Sequence, residues 1–465
     1  MLVKEAEILD ASGTPFLGDI RIHENHVTEV GRLTAKTGET VVNARRNLIV
    51  PGLNDHHGHL IAFAASLNSL VCGPPDVNSP EELGAALVNA SGEGWLRGFG
   101  YHDSIGVNID RHWLDRHGPE RPIRIQHRSG LLWILNSLAL ELIEQQAATL
   151  PHRERARLRN ADGRLYNVDE LLSLLTRSEA PPIAAASRQL AAFGVTGIND
   201  MTPTNDLSSQ QWFRELQNDG TIRQRVMLSG RPELSDGHFD GRLTLGSTKV
   251  HLHDHDLPDF SEYVELIRNS QQQSRSVAVH CVTELALVYT LSALQTAEAT
   301  PGHRIEHASV IPPQLIEQLQ GLELGVVTQP NFIYEKGDTY QAEIPAAEHA
   351  WLYRCQSLLD SGIPLAFGTD LPFGKPDPWQ AMQAATDRCT HKGDPFNPAE
   401  SITPEEALNG FLGSLENPFE PTIIQAGCLA DLCLLDVPWR ELRNDLRASH
   451  VRLTIADGAI IYSRN

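Results

Sequence analysis

Apolar and polar positions alternate in short runs along most of this chain, and helical stretches separate the runs. The first fifty residues read as short strands broken by turns. In "GDIRIHENHVTEVG", Ile20 and Ile22 alternate with polar neighbours, and Val27 and Val30 follow a polar turn at Glu24-Asn25. The last forty residues repeat this flavour in "CLADLCLLDVP" and "HVRLTIADGAIIYS", where Asp457-Gly458 is a hairpin signal. Two β segments at opposite ends of a chain can pair into one sheet. The pattern therefore predicts a small β-sandwich domain over 1–51 plus 405–465.

Between 52 and 404 the pattern changes. Apolar strand-like runs recur: "RGFGYH", "IRIQHRSG", "GVTGIND", "QRVMLSG", "TKVHLHD", "SVAVHCV", "HRIEHAS", "GVVTQPN" and "PLAFGTD". Helical patterns such as "PPIAAASRQLAAFG" and "ITPEEALNGFLG" lie between them, with visible starts and Gly stops. Strand then helix, repeated, predicts a parallel α/β fold. Nearly every run ends in a polar or ionisable residue. In a (β/α)8 TIM-like barrel the active site is built at those strand ends. A doubly wound sheet would want a Gly-rich phosphate loop after an early strand, and neither GxGxxG nor GxxxxGK[ST] occurs. The barrel is favoured, with an insertion or cap within the irregular segment 60–180.

Composition narrows the function. The chain has 465 residues, enough for one large barrel with an accessory domain. Acidic residues outnumber basic ones 59 to 38, for a formal net charge of -21. Such a surface repels phosphate backbones and anionic membranes, so nucleic-acid and membrane partners are not expected. No apolar run is long enough to span a bilayer, and "MLVKEAEILDASG" has early acids and no apolar core, unlike a signal peptide. The six cysteines form no CxxC pair and read as reduced thiols of a cytoplasmic protein. A homodimer is the default assembly.

The candidate chemistry lies at the strand ends. In "VPGLNDHHGHL", His57 and His59 share one face of a strand by period-two alternation, as two ligands of one metal require. His280 closes "SVAVH", His307 closes "HRIEH" and Asp370 closes "PLAFGTD". Four histidines and a carboxylate on one barrel rim make an N/O site suited to zinc, or to iron, nickel or manganese. "STKVHLHDHDLPDF" adds Lys249, His251, His253 and His255, all of one parity.

Taken in order, these segments resemble the amidohydrolase superfamily, and within it the YtcJ-like branch (amidohydrolase family 3). "PGLNDHHGHL", "LAAFGVTGINDM", "VAVHCVTE", "RIEHASV", "FGTDLPF" and the closing "GCLADLCLLD" carry the resemblance over nearly the whole chain. It implies a metal-dependent hydrolase with one or two divalent ions, zinc first. By it, His57, His59, His280 and His307 are ligands, and Asp370 is a ligand that also shuttles protons. Lys249 occupies the position where many members carry a carbamylated lysine bridging two metals. The implied reaction is hydrolysis of a C–N bond in a small amide, cyclic amide or N-acyl compound. Metal chemistry suits it, because a bound ion lowers the pKa of water and polarises a carbonyl.

Two departures from the family pattern bear on substrate. The Asp-Gly pair that many relatives carry after the lysine is replaced here by "HLHDHDLPD". In "HRSGLLWILNS", Gly130 precedes Leu131 where relatives have Gly-His, and His127 and Arg128 stand close by as replacements. Substrate contacts are therefore expected from His102, His127, Arg128, His253 and His255, with Arg128 suited to a carboxylate. Direct ligation by His251, His253 or His255 is not expected. The alternatives are a mononuclear deaminase-type C–N hydrolase, which would want a His-x-x-Glu that "VHLHDHD" does not offer, and a barrel that has lost catalysis and serves in binding.

Overall fold

The computed structural model describes residues 1–464 apart from 107, 148–149, 159–161, 169–170, 173–174, 177–180, 235–238 and 240. By its internal contacts the chain forms two compact units, one of Met1–Leu60 with Ala184–Asn465, the other of Ile61–Ile183.

The first unit contains the barrel. Its strands are β1 (Leu53–Gly58), β2 (Val195–Asp200), β3 (Arg225–Gly230), β4 (Leu243–His251), β5 (Val277–Cys281), β6 (Arg304–His307), β7 (Gly325–Thr328) and β8 (Leu365–Phe367). All eight run parallel, and each pairs with its sequence neighbour from β1 to β8. β8 and β1 complete the circle through the loop after β8. Asp370 N donates to His57 O at 2.8 Å, and His59 N donates to Leu371 O at 2.8 Å.

Alternation along each strand sorts side chains between helix layer and barrel lumen. Val250, Val277, Val279, Cys281, Ile305 and Val326 pack outward on Ile267, Leu287, Leu291 and Leu319 of the surrounding helices in one buried core. Burying each such aliphatic side chain stabilises the fold by about 1.5–3 kcal/mol. The opposite parity sends Lys249, His280 and Glu306 inward. The helices begin where local chemistry allows it. The Asp259 carboxylate accepts from Ser261 N and Glu262 N at the start of Phe260–Gln272, and Thr283 caps Glu284–Thr296. Thr403 and Glu406 form a capping box that opens the helix Pro404–Asn409.

Both chain ends meet in one eight-stranded sheet beside the barrel. Leu48–Pro51 pairs antiparallel with Leu432–Leu435, with Cys433 opposite Val50. Ile8, Ile20, Ile49, Leu432, Leu434 and Ile455 share its core. The Asp457-Gly458 turn has φ of 52° and 74°. Two successive left-handed residues are what a tight hairpin turn demands.

The second unit carries its own sheet. Among the described residues, its five strands lie in the order Arg164–Tyr166, Leu132–Leu135, Ile123–His127, Leu96–Tyr101 and Leu70–Val71. This corrects the reading of "RGFGYH" and "IRIQHRSG" as barrel strands. Both are strands, but they pair with each other at Leu96–Ile123 and Gly98–Ile125, in the second unit. Alternation marks a half-buried strand and carries no information about which sheet takes it.

Candidate metal centre

Residues from five barrel strands and their loops meet at the C-terminal rim. His57 comes from β1, with His59 just beyond it, and His280 and His307 end β5 and β6. The His57 and His307 ring centroids lie 4.6 Å apart, and those of His280 and His307 4.4 Å apart. Asp370 Oδ1 sits 3.3 Å from His59 Nε2 and 3.7 Å from His57 Nε2. One ligand atom from each of His57, His59 and Asp370 lies within 4.8 Å of the others, a grouping that could hold a metal ion.

The backbone is contorted at two of these residues. His307 has φ 67° and Asp370 has φ 56°, both left-handed. A regular pleat would give His307 the outward parity of Ile305. The left-handed turn at His307 and Ala308 takes it out of that pleat and onto the rim. Such conformations are costly and collect at functional sites.

A second layer of groups settles which ring nitrogens face inward. His57 Nδ1 donates to the Glu306 carboxylate, and both side chains are buried. Glu306 is paired in turn with Arg304 Nε at 2.5 Å. His307 Nδ1 donates to Gln329 Oε1 at 2.7 Å, and His59 Nδ1 lies 3.1 Å from Thr202 Oγ1. With Nδ1 engaged, each of these imidazoles offers Nε2 to the centre. Acceptors of this kind orient metal-binding histidines and raise their basicity. Glu306, Gln329 and Thr202 were not singled out in the sequence. "RIEH" shows Glu306 beside His307, but nothing local says that it reaches across the barrel to His57. Asp55 is a further inward tie: its carboxylate accepts from Thr369 N at 2.9 Å and Thr369 Oγ1 at 2.5 Å.

Burial keeps His57, His280 and His307 neutral. Burial, reinforced by Lys249 and neighbouring imidazoles, holds His57 and His280 well below the ordinary imidazole value. Burial takes His307 down to about 4. Burial opposes ionisation of Asp370, but His59, His307 and His57 beside it outweigh burial and hold the carboxyl well below its usual range. Lys249 is buried and pushed down to about 8, and among the described residues its Nζ has no hydrogen-bond partner. Neutral imidazoles, an ionised carboxylate and an orphaned buried amine form a donor set that fits a divalent transition ion.

His253 and His255 follow β4 in a loop. His253 is half-buried, with its ring 6.3 Å from His280, and stacks on the exposed His255 at 5.6 Å. His251 comes nearer, its ring 4.3 Å from His280. His102, His127 and Arg128 belong to the second unit. There His127 Nδ1 lies 2.8 Å from Ser129 Oγ and Nε2 3.7 Å from Asp103 Oδ2, and burial pushes His127 down to about 4. Arg128 N donates to Tyr101 O at 2.8 Å. Asp200 is structural: it accepts from Leu60 N at 2.8 Å and Asn205 Nδ2 at 2.8 Å. Among the described residues, no helix is long and apolar enough to cross a membrane.

The sequence profile of the amidohydrolase family matches residues 40–462. The N-substituted formamide deformylase of Arthrobacter pascens is 24% identical, over 94% of this chain and 92% of its own. YtcJ of Bacillus subtilis (strain 168) is 22% identical, over 90% of this chain and 89% of its own. Among solved structures, an uncharacterized metal-dependent hydrolase from Pyrococcus horikoshii OT3 superposes with a TM-score of 0.74 at 19% identity, covering 97% of this chain and 99% of that one.

Proposed function

The chain belongs to the amidohydrolase family and is a hydrolase acting on C–N bonds; on that premise we propose that it cleaves an amide, cyclic amide or N-acyl bond of a small molecule. His57, His59, His280, His307 and Asp370 would hold one or two divalent ions, zinc first, with iron, manganese or nickel as alternatives. A bound ion would supply Lewis-acid polarisation of the carbonyl and lower the pKa of water.

The chain's own residues supply the rest. Asp370 is ionised, with Oδ1 3.3 Å from His59 Nε2, so Oδ1 can take the proton of the attacking water. The same carboxyl can then return that proton to the leaving nitrogen. Glu306, Gln329 and Thr202 hold the imidazoles with Nε2 toward the centre.

Lys249 is the observation that carries the reading furthest. A buried amine without a hydrogen-bond partner is costly as an ammonium. Free Nζ can add to carbon dioxide: the nitrogen lone pair forms the N–C bond, one proton leaves, and a carbamate anion results. That anion presents two oxygens where the ammonium presented none. The formamide deformylase likeness makes N-substituted formamides the first compounds to try, followed by N-acyl amines and cyclic amides. Metal analysis of protein purified without chelators tests the reading. One to two equivalents of a divalent transition ion are expected, and none after reconstitution with zinc, manganese or iron contradicts it.

A further inference from the structure

Beyond the centre itself, one short loop carries three more histidines. His251 ends β4, in register with His280 on β5. The two rings meet edge to face with centroids 4.3 Å apart. His253 lies 4.3 Å from His251, and His255 stacks on His253 at 5.6 Å. On the inner side, His280 lies 4.4 Å from His307. Five imidazoles thus make one row, from His307 in the buried centre to His255 on the exposed loop.

Zinc holds imidazole nitrogens at about 2.0–2.1 Å, so two nitrogens about 4 Å apart can share one ion. Rings spaced like these can pass an ion from one to the next without returning it to water. Among the described residues, no hydrogen bond ties the ring nitrogens of His251, His253 or His255. Asp254 and Asp256 interleave with them, and carboxylates raise the local concentration of cations. The row is not a second centre. Among the described residues, only His57, His59 and Asp370 bring three ligand atoms within 4.8 Å of one another.

We propose that His255, His253 and His251 form an entry path that hands a divalent transition-metal ion to the His280 side of the centre. This rests on the metal-centre reading above. It also gives a role to the segment where the chain departs from its family's Asp-Gly pattern.

The test follows uptake itself, apart from catalysis. Chelator-stripped protein is mixed with limiting Co2+, and the visible absorption of bound cobalt is followed with time for the wild type and for His253→Asn/His255→Asn. The double variant should reach the same final cobalt content but load at least about tenfold more slowly, with the difference shrinking at excess metal. Loading at the wild-type rate overturns the path. A lower final content also overturns it, by making these residues part of the centre. Wild-type protein that takes up no cobalt removes the centre and the path together, whereas an unchanged rate in protein that does load removes the path alone. His255→Asn, at the exposed end, gives the same readout if the double variant is destabilised.

Discussion

Glu306 on β6 accepts a hydrogen bond from Nδ1 of His57 on β1, across the barrel, with neither side chain open to solvent. The contact fixes the His57 tautomer and turns Nε2 toward Asp370, 3.7 Å away. Because Glu306 also pairs with Arg304, the carboxylate is itself held in place.

Removing that acceptor charge should therefore act on metal affinity. Glu306→Gln is expected to fold yet bind zinc about 10–100-fold more weakly. Competition against a chelator of known affinity checks this. Affinity equal to the wild type would reduce Glu306 to a structural partner of Arg304.

Asp370 is predicted to matter more for turnover than for metal. Asp370→Asn should keep at least part of the metal and lose about 10²–10⁴-fold in kcat. Metal content and kcat measured on the same preparation separate the two effects. Undiminished kcat would remove Asp370 as the proton carrier.

For Lys249, the expectation is chemical. Protein equilibrated with ¹³C-labelled bicarbonate should show one bound carbamate carbon resonance that Lys249→Gln lacks. A spectrum without that resonance in the wild type, with metal present, would leave Lys249 as a plain buried amine.

Acid should weaken the metal-free protein. His56, His57, His127, His251, His253, His280, His303 and His307 all have folded values lowered from the ordinary imidazole value, burial being the first cause in each. The unfolded chain therefore binds more protons at these eight sites once the pH falls below about 6.5. Asp55 and Asp377, raised to about 6 by burial, and Glu335, also raised by burial, act in the opposite sense but are three against eight. The Tm of chelator-stripped protein should fall as pH drops from about 6.5 to about 4. A Tm that held or rose over that range would show that these histidines are not held below their ordinary value in the folded chain.

The barrel was legible because its strands alternate and end in ionisable residues, and alternation put His57 and His59 on one face. His307 converged on the rim for a reason alternation does not contain: its left-handed backbone undoes the outward parity it shares with Ile305. Glu306 stayed hidden because its partner lies 249 positions away, a separation that no local pattern encodes. "RGFGYH" and "IRIQHRSG" misled because a strand of the second unit alternates like a strand of the barrel. In "KVHLHDH" parity put three histidines on one face. Register sets His251 against His280 and leaves His255 on the surface.

The central claim is metal-dependent hydrolysis of a C–N bond, and amine release tests it most directly. Chelator-stripped protein, and the same protein reloaded with zinc, manganese or iron, are incubated with N-substituted formamides, N-acyl amines and cyclic amides. The account predicts hydrolysis of at least one of these compounds by reloaded protein and none by stripped protein. Equal hydrolysis by stripped and reloaded protein, or no hydrolysis of any compound by fully loaded protein, would contradict it.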